Sequence, residues 1–253
     1  MLKILLLLVS LAMLWWFVRN DASEYAAFKR QPDTAGRQHF YKTWIVKSFL
    51  ALFGTSMVCL LILRQLHALL YLPDEFIPLA ARLGADMPTT VILDKEILAG
   101  CAAGAMLIGI LLGVLIAKRL KTTHATLADI EPLMPRNGAE TGWAALLSLN
   151  AGVSEECFFR LVLPLLLIGL LHNPLLAFVS ATILFGLVHI YQGVLGVVMT
   201  TLVGVVLAGL YLWTGSLWMT IAAHAGLDLF GLVVRPTFMR LLHRPTLTTG
   251  TDN

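Results

Sequence analysis

The stretch Ser154–Pro164, SEECFFRLVLP, lies inside a long run of Leu, Ile, Val and Phe. Glu155, Glu156 and Arg160 are expensive there. An ionised side chain at the centre of a membrane helix costs about 2.5–3.5 kcal/mol, so three cost about 8–10. The surrounding apolar residues return about 0.3–0.6 kcal/mol each, or about 4.5–9 in all. Such a helix has little surplus for insertion alone, and its charged face must meet protein or a water-filled cavity rather than lipid. Glu156 and Arg160 are i,i+4 with the acid first, the favourable order for a pair on one helix face. Glu155 is turned about 100° from Glu156 and is left for another partner. Pro164 cannot donate to the Arg160 carbonyl, so a kink is expected close to the charges.

The rest of the chain is equally apolar. Of 253 residues, 58% are hydrophobic and 13% charged, with a mean hydropathy of +0.82. A soluble domain carries about 25% charged residues, so the composition points to an all-α polytopic membrane protein embedded in a lipid bilayer. The net charge is +3, with no Lys/Arg run and no aromatic–basic interleaving, which argues against a nucleic-acid partner. Cys59, Cys101 and Cys157 all fall in apolar segments and read as packed thiols, neither a disulfide framework nor a metal cluster.

Apolar stretches at 2–18, 44–63, 97–116, 142–171, 175–190, 196–213 and 217–234 predict seven spans, with an eighth half-helix within 64–96 left open. Residues 1–18 resemble a signal peptide only in Lys3 and the apolar core. No small-x-small site follows, and Trp15 and Trp16 suit an interfacial belt, so a retained helix is expected. Basic residues concentrate in 19–43, 117–141 and the C-terminal tail, whereas 64–96 is acidic. Seven spans then place the N-terminus outside and the C-terminus in the cytoplasm, in a bacterial inner membrane. The chain divides into an anchor helix with a basic cytoplasmic loop (1–43), two spans with an acidic external and a basic cytoplasmic loop (44–141), a helical core (142–235) and a cytoplasmic tail (236–253). Gly100/Gly104 and Gly109/Gly113 are small-xxx-small packing pairs.

Two further polar pairs stand in the core. Phe185 and His189, in LFGLVHIYQG, and His224 and Asp228, in AAHAGLDLF, both have i,i+4 spacing. An intramembrane histidine serves as a ligand, a proton relay or a hydrogen-bond donor. Taken singly, each pair reads as structural. Together they supply nearly all the ionisable groups of the last four spans, on three successive helices, and buried polar groups need partners, so one shared site is expected. By depth, Glu155 and His224 both lie about 20 Å from the cytoplasmic face, but His189 comes out about 10 Å shallower. Tilt or different helix ends must close that gap, and the offset suggests a cavity open to the cytoplasmic side.

EExxxR, FxxxH and HxxxD, in this order on successive membrane helices, resemble the CAAX prenyl endopeptidase and bacteriocin-processing (CPBP, Abi) family over about residues 142–235. The resemblance implies an intramembrane endopeptidase acting on a membrane-embedded or lipidated, even prenylated, protein or peptide. In that reading Glu155 is the base that activates water, assisted by His189, while Glu156 and Arg160 orient it. His224 and Asp228 stabilise the oxyanion or ligate a metal. Members are described both as metalloproteases and as metal-free glutamate proteases, so a zinc site of Glu155, His189 and His224 stays open. Phe185 supports His189. The chain lacks HExxH, GxSG and GxGD, the marks of other intramembrane proteases, and Cys157 has no dedicated base. A proton-coupled transporter or a catalytically silent scaffold are the alternatives. The transporter would show an internal repeat, and none is visible.

Overall fold

A computed structural model describes residues 1–83 and 131–242, and it is built of helices, with no strand among the described residues. They are α1 (Leu2–Val18), α2 (Asp21–Lys29), α3 (Thr34–Ser48), α4 (Thr55–Leu63), α5 (Ile77–Arg82), α6 (Gly138–Glu156), α7 (Leu163–Leu171), α8 (Pro174–Leu187), α9 (Val194–Thr214), α10 (Leu217–Leu229) and α11 (Arg235–Leu242). The π turns Phe49–Gly54, Cys157–Val162 and Phe230–Val234 join α3 to α4, α6 to α7 and α10 to α11. The expected span 97–116, Cys101, the four paired glycines and the basic residues Lys118, Arg119 and Lys121 lie outside the described residues.

Four helical stretches among the described residues are long and apolar enough to cross a membrane: Leu2–Lys29, Thr34–Leu63, Val194–Thr214 and Leu217–Phe238. Their outer faces are apolar, with Leu8 60%, Val206 67% and Trp213 62% exposed. A soluble surface rarely carries so much contiguous apolar area, and a bilayer covers it. Inside, Phe158, Phe159, Leu161, Leu165, Phe185 and Tyr211 belong to one buried cluster that joins α1, α7, α8 and α9.

Three local features differ from expectation. The kink before Pro164 is a π turn, in which the Leu163 N–H reaches back to the Phe158 carbonyl. This widened turn accommodates the carbonyl that proline leaves without a donor. The stretch 19–43 is not a loop: it contains α2 and the first part of α3, so the boundary at 43 cuts a continuous helix. Asp33 starts that helix by accepting from the Gly36 N–H, and Arg37 and Tyr41 are buried along it. Finally, the span expected at 175–190 ends at Leu187 after 14 residues. Its length of about 21 Å falls short of a ~30 Å hydrocarbon core.

Side-chain caps fix the starts of α6, α8 and α10. The side chains of Asn137, Asn173 and Ser216 accept from the N–H groups of Glu140, Leu176 and Met219, and Pro174 takes the first helical position of α8. Two helices approach closely at Gly152 on α6. A Cβ there would stand 2.9 Å from the Ala225 Cβ and 3.0 Å from the Ile221 carbonyl oxygen of α10. Only glycine lets these two backbones meet one turn below the paired glutamates.

Candidate active site

The close α6–α10 contact sets Glu156 against His224. Glu156 Oε1 accepts a hydrogen bond from His224 Nδ1 at 2.6 Å, across 68 residues of sequence. Its other oxygen lies 3.1 Å from Arg160 Nε, an ion pair within the π turn. Glu156 and Arg160 are both buried, and the guanidinium stacks 4.0 Å from the centre of the Phe185 ring. Phe185 also meets the rings of Phe159, His189 and His224 edge-on, at 5.2, 5.0 and 6.0 Å. It is the apolar post around which the charged residues are arranged.

Glu155 faces the other way. Its Oε2 is 4.0 Å from His189 Nε2 and 4.0 Å from His224 Nε2, and it accepts no hydrogen bond from the described residues. His189 Nδ1 lies 2.8 Å from the Phe185 carbonyl oxygen. A carbonyl only accepts, so Nδ1 carries the proton and the Nε2 lone pair points at Glu155. His224 is set in the same way by Glu156, which leaves its Nε2 between Glu155 and Asp228, whose Oδ2 is 3.8 Å away. Glu155, Glu156, Arg160, Phe185, His189, His224 and Asp228 are thus brought together. The depth offset expected for His189 does not keep it from Glu155: α8 ends at Leu187, inside the expected span, and His189 starts the turn that follows, 4.0 Å from the carboxylate.

Glu155, His189, His224 and Asp228 line a cavity of 380 Å³ whose other walls are largely apolar. Six of its residues come from the N-terminal helices and their junctions: Phe17, Asp21, Tyr25, Trp44, Ser48 and Leu52. Tyr25 meets Tyr191 edge-on at 5.2 Å, and Tyr191 lies 5.9 Å from the His189 ring. Lys47 bridges Asp21 at 3.2 Å and Glu24 at 3.0 Å, and Trp44 Nε1 donates to Glu24, so α2 is held against α3. Sequence reasoning missed this wall and the Glu156–His224 bond. The signal for the wall was the run of aromatic residues among the charges of 21–47, hidden by reading that stretch as a cytoplasmic loop.

A divalent ion shared by Glu155, His189 and His224 would have both Nε2 atoms and the carboxylate pointing at it, each imidazole backed by an acceptor on Nδ1. Ligands about 2.0–2.1 Å from tetrahedral zinc stand about 3.3 Å apart, so the 4.0 Å separations would have to close. As placed, no group of three His, Cys, Asp or Glu among the described residues is close enough to hold a metal ion.

Comparison with known protein families gives a match. Residues 137–230, from the Asn137 cap of α6 to the end of α10, match the family described as Type II CAAX prenyl endopeptidase Rce1-like. Neither the curated proteins nor the solved structures compared contain a match. The match covers all three motifs and agrees with the resemblance they carry: residues 137–230 form a domain of the Rce1-like family of type II CAAX prenyl endopeptidases.

Proposed function

We propose that the protein is an intramembrane endopeptidase in which Glu155 activates water to hydrolyse a peptide bond of a membrane-embedded or lipidated protein or peptide, a prenylated one included. The observation that carries this reading is a carboxylate on the wall of an apolar cavity whose Oε2 accepts no hydrogen bond from the described residues and faces two imidazole Nε2 atoms at 4.0 Å each. One water spans such a gap with two hydrogen bonds of about 2.8 Å. Glu155 takes a proton from that water while His189 Nε2 orients it, and the hydroxide attacks the scissile carbonyl carbon. The oxyanion that forms is stabilised by His224 Nε2–H once that ring is protonated at both nitrogens, with Asp228 beside it. Glu155 then returns the proton to the leaving amine, and acid and amine products separate.

Glu156 keeps the proton of His224 on Nδ1 and, with Arg160, holds the π turn that presents Glu155. If the enzyme carries zinc, Glu155, His189 and His224 are the residues that would hold it, and it would polarise the water and the carbonyl. The alternation of basic and acidic segments in the sequence, with the buried Arg37 left out of the count, supports an N-terminus outside, a C-terminus in the cytoplasm and residence in a bacterial inner membrane.

The test is cleavage of candidate membrane peptides, with and without a prenyl group, by the reconstituted protein and by Glu155→Gln. Wild type is expected to cleave and the variant to be inert. Equal cleavage by both would refute the glutamate base. Metal analysis of active protein, with a chelator control, assigns the mechanism: activity without bound metal removes the zinc version.

A further inference from the structure

A second hollow, of 560 Å³, lies where the end of α1 meets α3, and it shares no lining residue with the catalytic cavity. Arg19, His39 and Lys42 line it, together with the polar side chains of Asn20 and Thr43. Its one carboxylate, Glu24, is already engaged by Lys47 and by the Trp44 indole. Arg19 and Lys42 are exposed, and neither meets a carboxylate among the described residues. Lys42 instead sits 4.8 Å from the centre of the Trp143 ring.

The other side of the hollow is apolar. Trp16, Val46 and Leu50 line it, and they are 41%, 57% and 58% exposed. Trp15 and Phe49, next to them in sequence, are also exposed, which continues the belt that the bilayer covers. The hollow therefore straddles the boundary between a lipid-facing surface and a basic rim. Interfacial tryptophans mark this depth in membrane proteins, and nearby Lys and Arg attract anionic headgroups. A soluble phosphate would use the basic rim and leave the apolar side bare, whereas an amphiphile with an acidic head fills both.

We infer that this hollow binds one anionic phospholipid, with its phosphate between Arg19 and Lys42 and an acyl chain along Trp16, Val46 and Leu50. Because α2 also walls the catalytic cavity, a lipid here stands on the element that shapes substrate access. The binding does not depend on the proteolytic reading.

The test uses the full-length protein, purified and exchanged into mixed micelles with phosphatidylglycerol or phosphatidylcholine, with bound lipid counted by native mass spectrometry. Wild type is expected to retain phosphatidylglycerol preferentially. Arg19→Gln and Lys42→Gln should each lower retention about fivefold, and the double variant should fall to the phosphatidylcholine level. The charge-preserving pair Arg19→Lys and Lys42→Arg should keep it. Arg30→Gln, which removes a charge from the same basic stretch of sequence but outside the hollow, should also change nothing. Equal retention of both lipids by wild type, full retention by the double variant, or an equal loss in Arg30→Gln would overturn the site. Displacement of the lipid by millimolar inorganic phosphate would identify a free-phosphate site and overturn it too.

Discussion

Helix α6 carries a buried carboxylate–guanidinium pair near each end, and the two pairs behave differently. At its start, Glu140 accepts from Arg37 Nε at 2.9 Å and from the Arg136 N–H at 2.9 Å. Arg37 also donates to the carbonyls of Pro132 and Met134 and to the Tyr41 hydroxyl, under the Phe28 ring 4.2 Å away. At its end, Glu156 shares Arg160 with a π turn, and both Nη atoms of Arg160 lack an acceptor among the described residues. The neighbouring Glu155 is left open to a cavity. Both sites bury charge, so burial does not tell them apart; the degree of hydrogen bonding does, since Arg37 leaves only Nη1 without an acceptor among the described residues whereas Arg160 leaves all three of its nitrogens so. The better satisfied pair locks α3 to α6, and the poorly satisfied one leaves polar groups uncommitted beside the cavity.

Mutation should separate the two ends by readout. Glu155→Gln is expected to lower cleavage by about 10²–10⁴, the span of a general base, with no loss of thermal stability. A stability loss matching the activity loss would make Glu155 a structural residue and erase the contrast. Arg37→Ala should do the reverse. It strands Glu140 without its cation, at about 3–5 kcal/mol of stability, while the folded fraction keeps its cleavage rate. A denaturant titration in detergent, run beside a turnover assay, reads both. Between these extremes, Glu156→Gln should reduce turnover about 10–100-fold, because the amide no longer fixes the proton on His224 Nδ1. If turnover survives in Glu156→Gln, that glutamate belongs with Glu140 as a tether.

Much of this contrast was legible in the sequence at one end only. The i,i+4 spacing of Glu156 and Arg160, and the rotation of Glu155 away from them, give the split between a paired and an open carboxylate, because helix geometry converts spacing into direction. The convergence of three helices was inferable because buried polar groups have few other partners. Which oxygen meets which nitrogen was not: the Glu156–His224 bond depends on the α6–α10 approach at Gly152, a tertiary fact. The Arg37–Glu140 lock was invisible for a related reason. Counting Arg37 among loop charges for topology assumes that it is in water, and a buried arginine breaks that assumption. Likewise α8 was read as a full span because apolar residues continue past Leu187, although the helix stops there.

A third ion pair supplies the scale for the other two. Lys3 Nζ donates to Glu75 at 2.9 Å, joining α1 to the segment before α5, with side chains 32% and 27% exposed. Partial burial, the largest single effect, raises the Glu75 carboxyl, but the hydrogen bonds from Lys3, its own backbone N–H and Gln65, together with the Lys3 charge, outweigh it and hold the group below the usual glutamate range. A carboxylate depressed in the folded state contributes stability above its unfolded pKa and loses it as pH falls through the folded value. Glu75→Gln should therefore cost less than about 1 kcal/mol at neutral pH, and added salt should shrink the difference. Wild type and variant should converge as the pH drops below about 4, the ordinary glutamate range. A loss near that of Arg37→Ala would mean that the pair is far less hydrated than its exposure indicates, and that burial rather than hydrogen bonding ranks the three pairs.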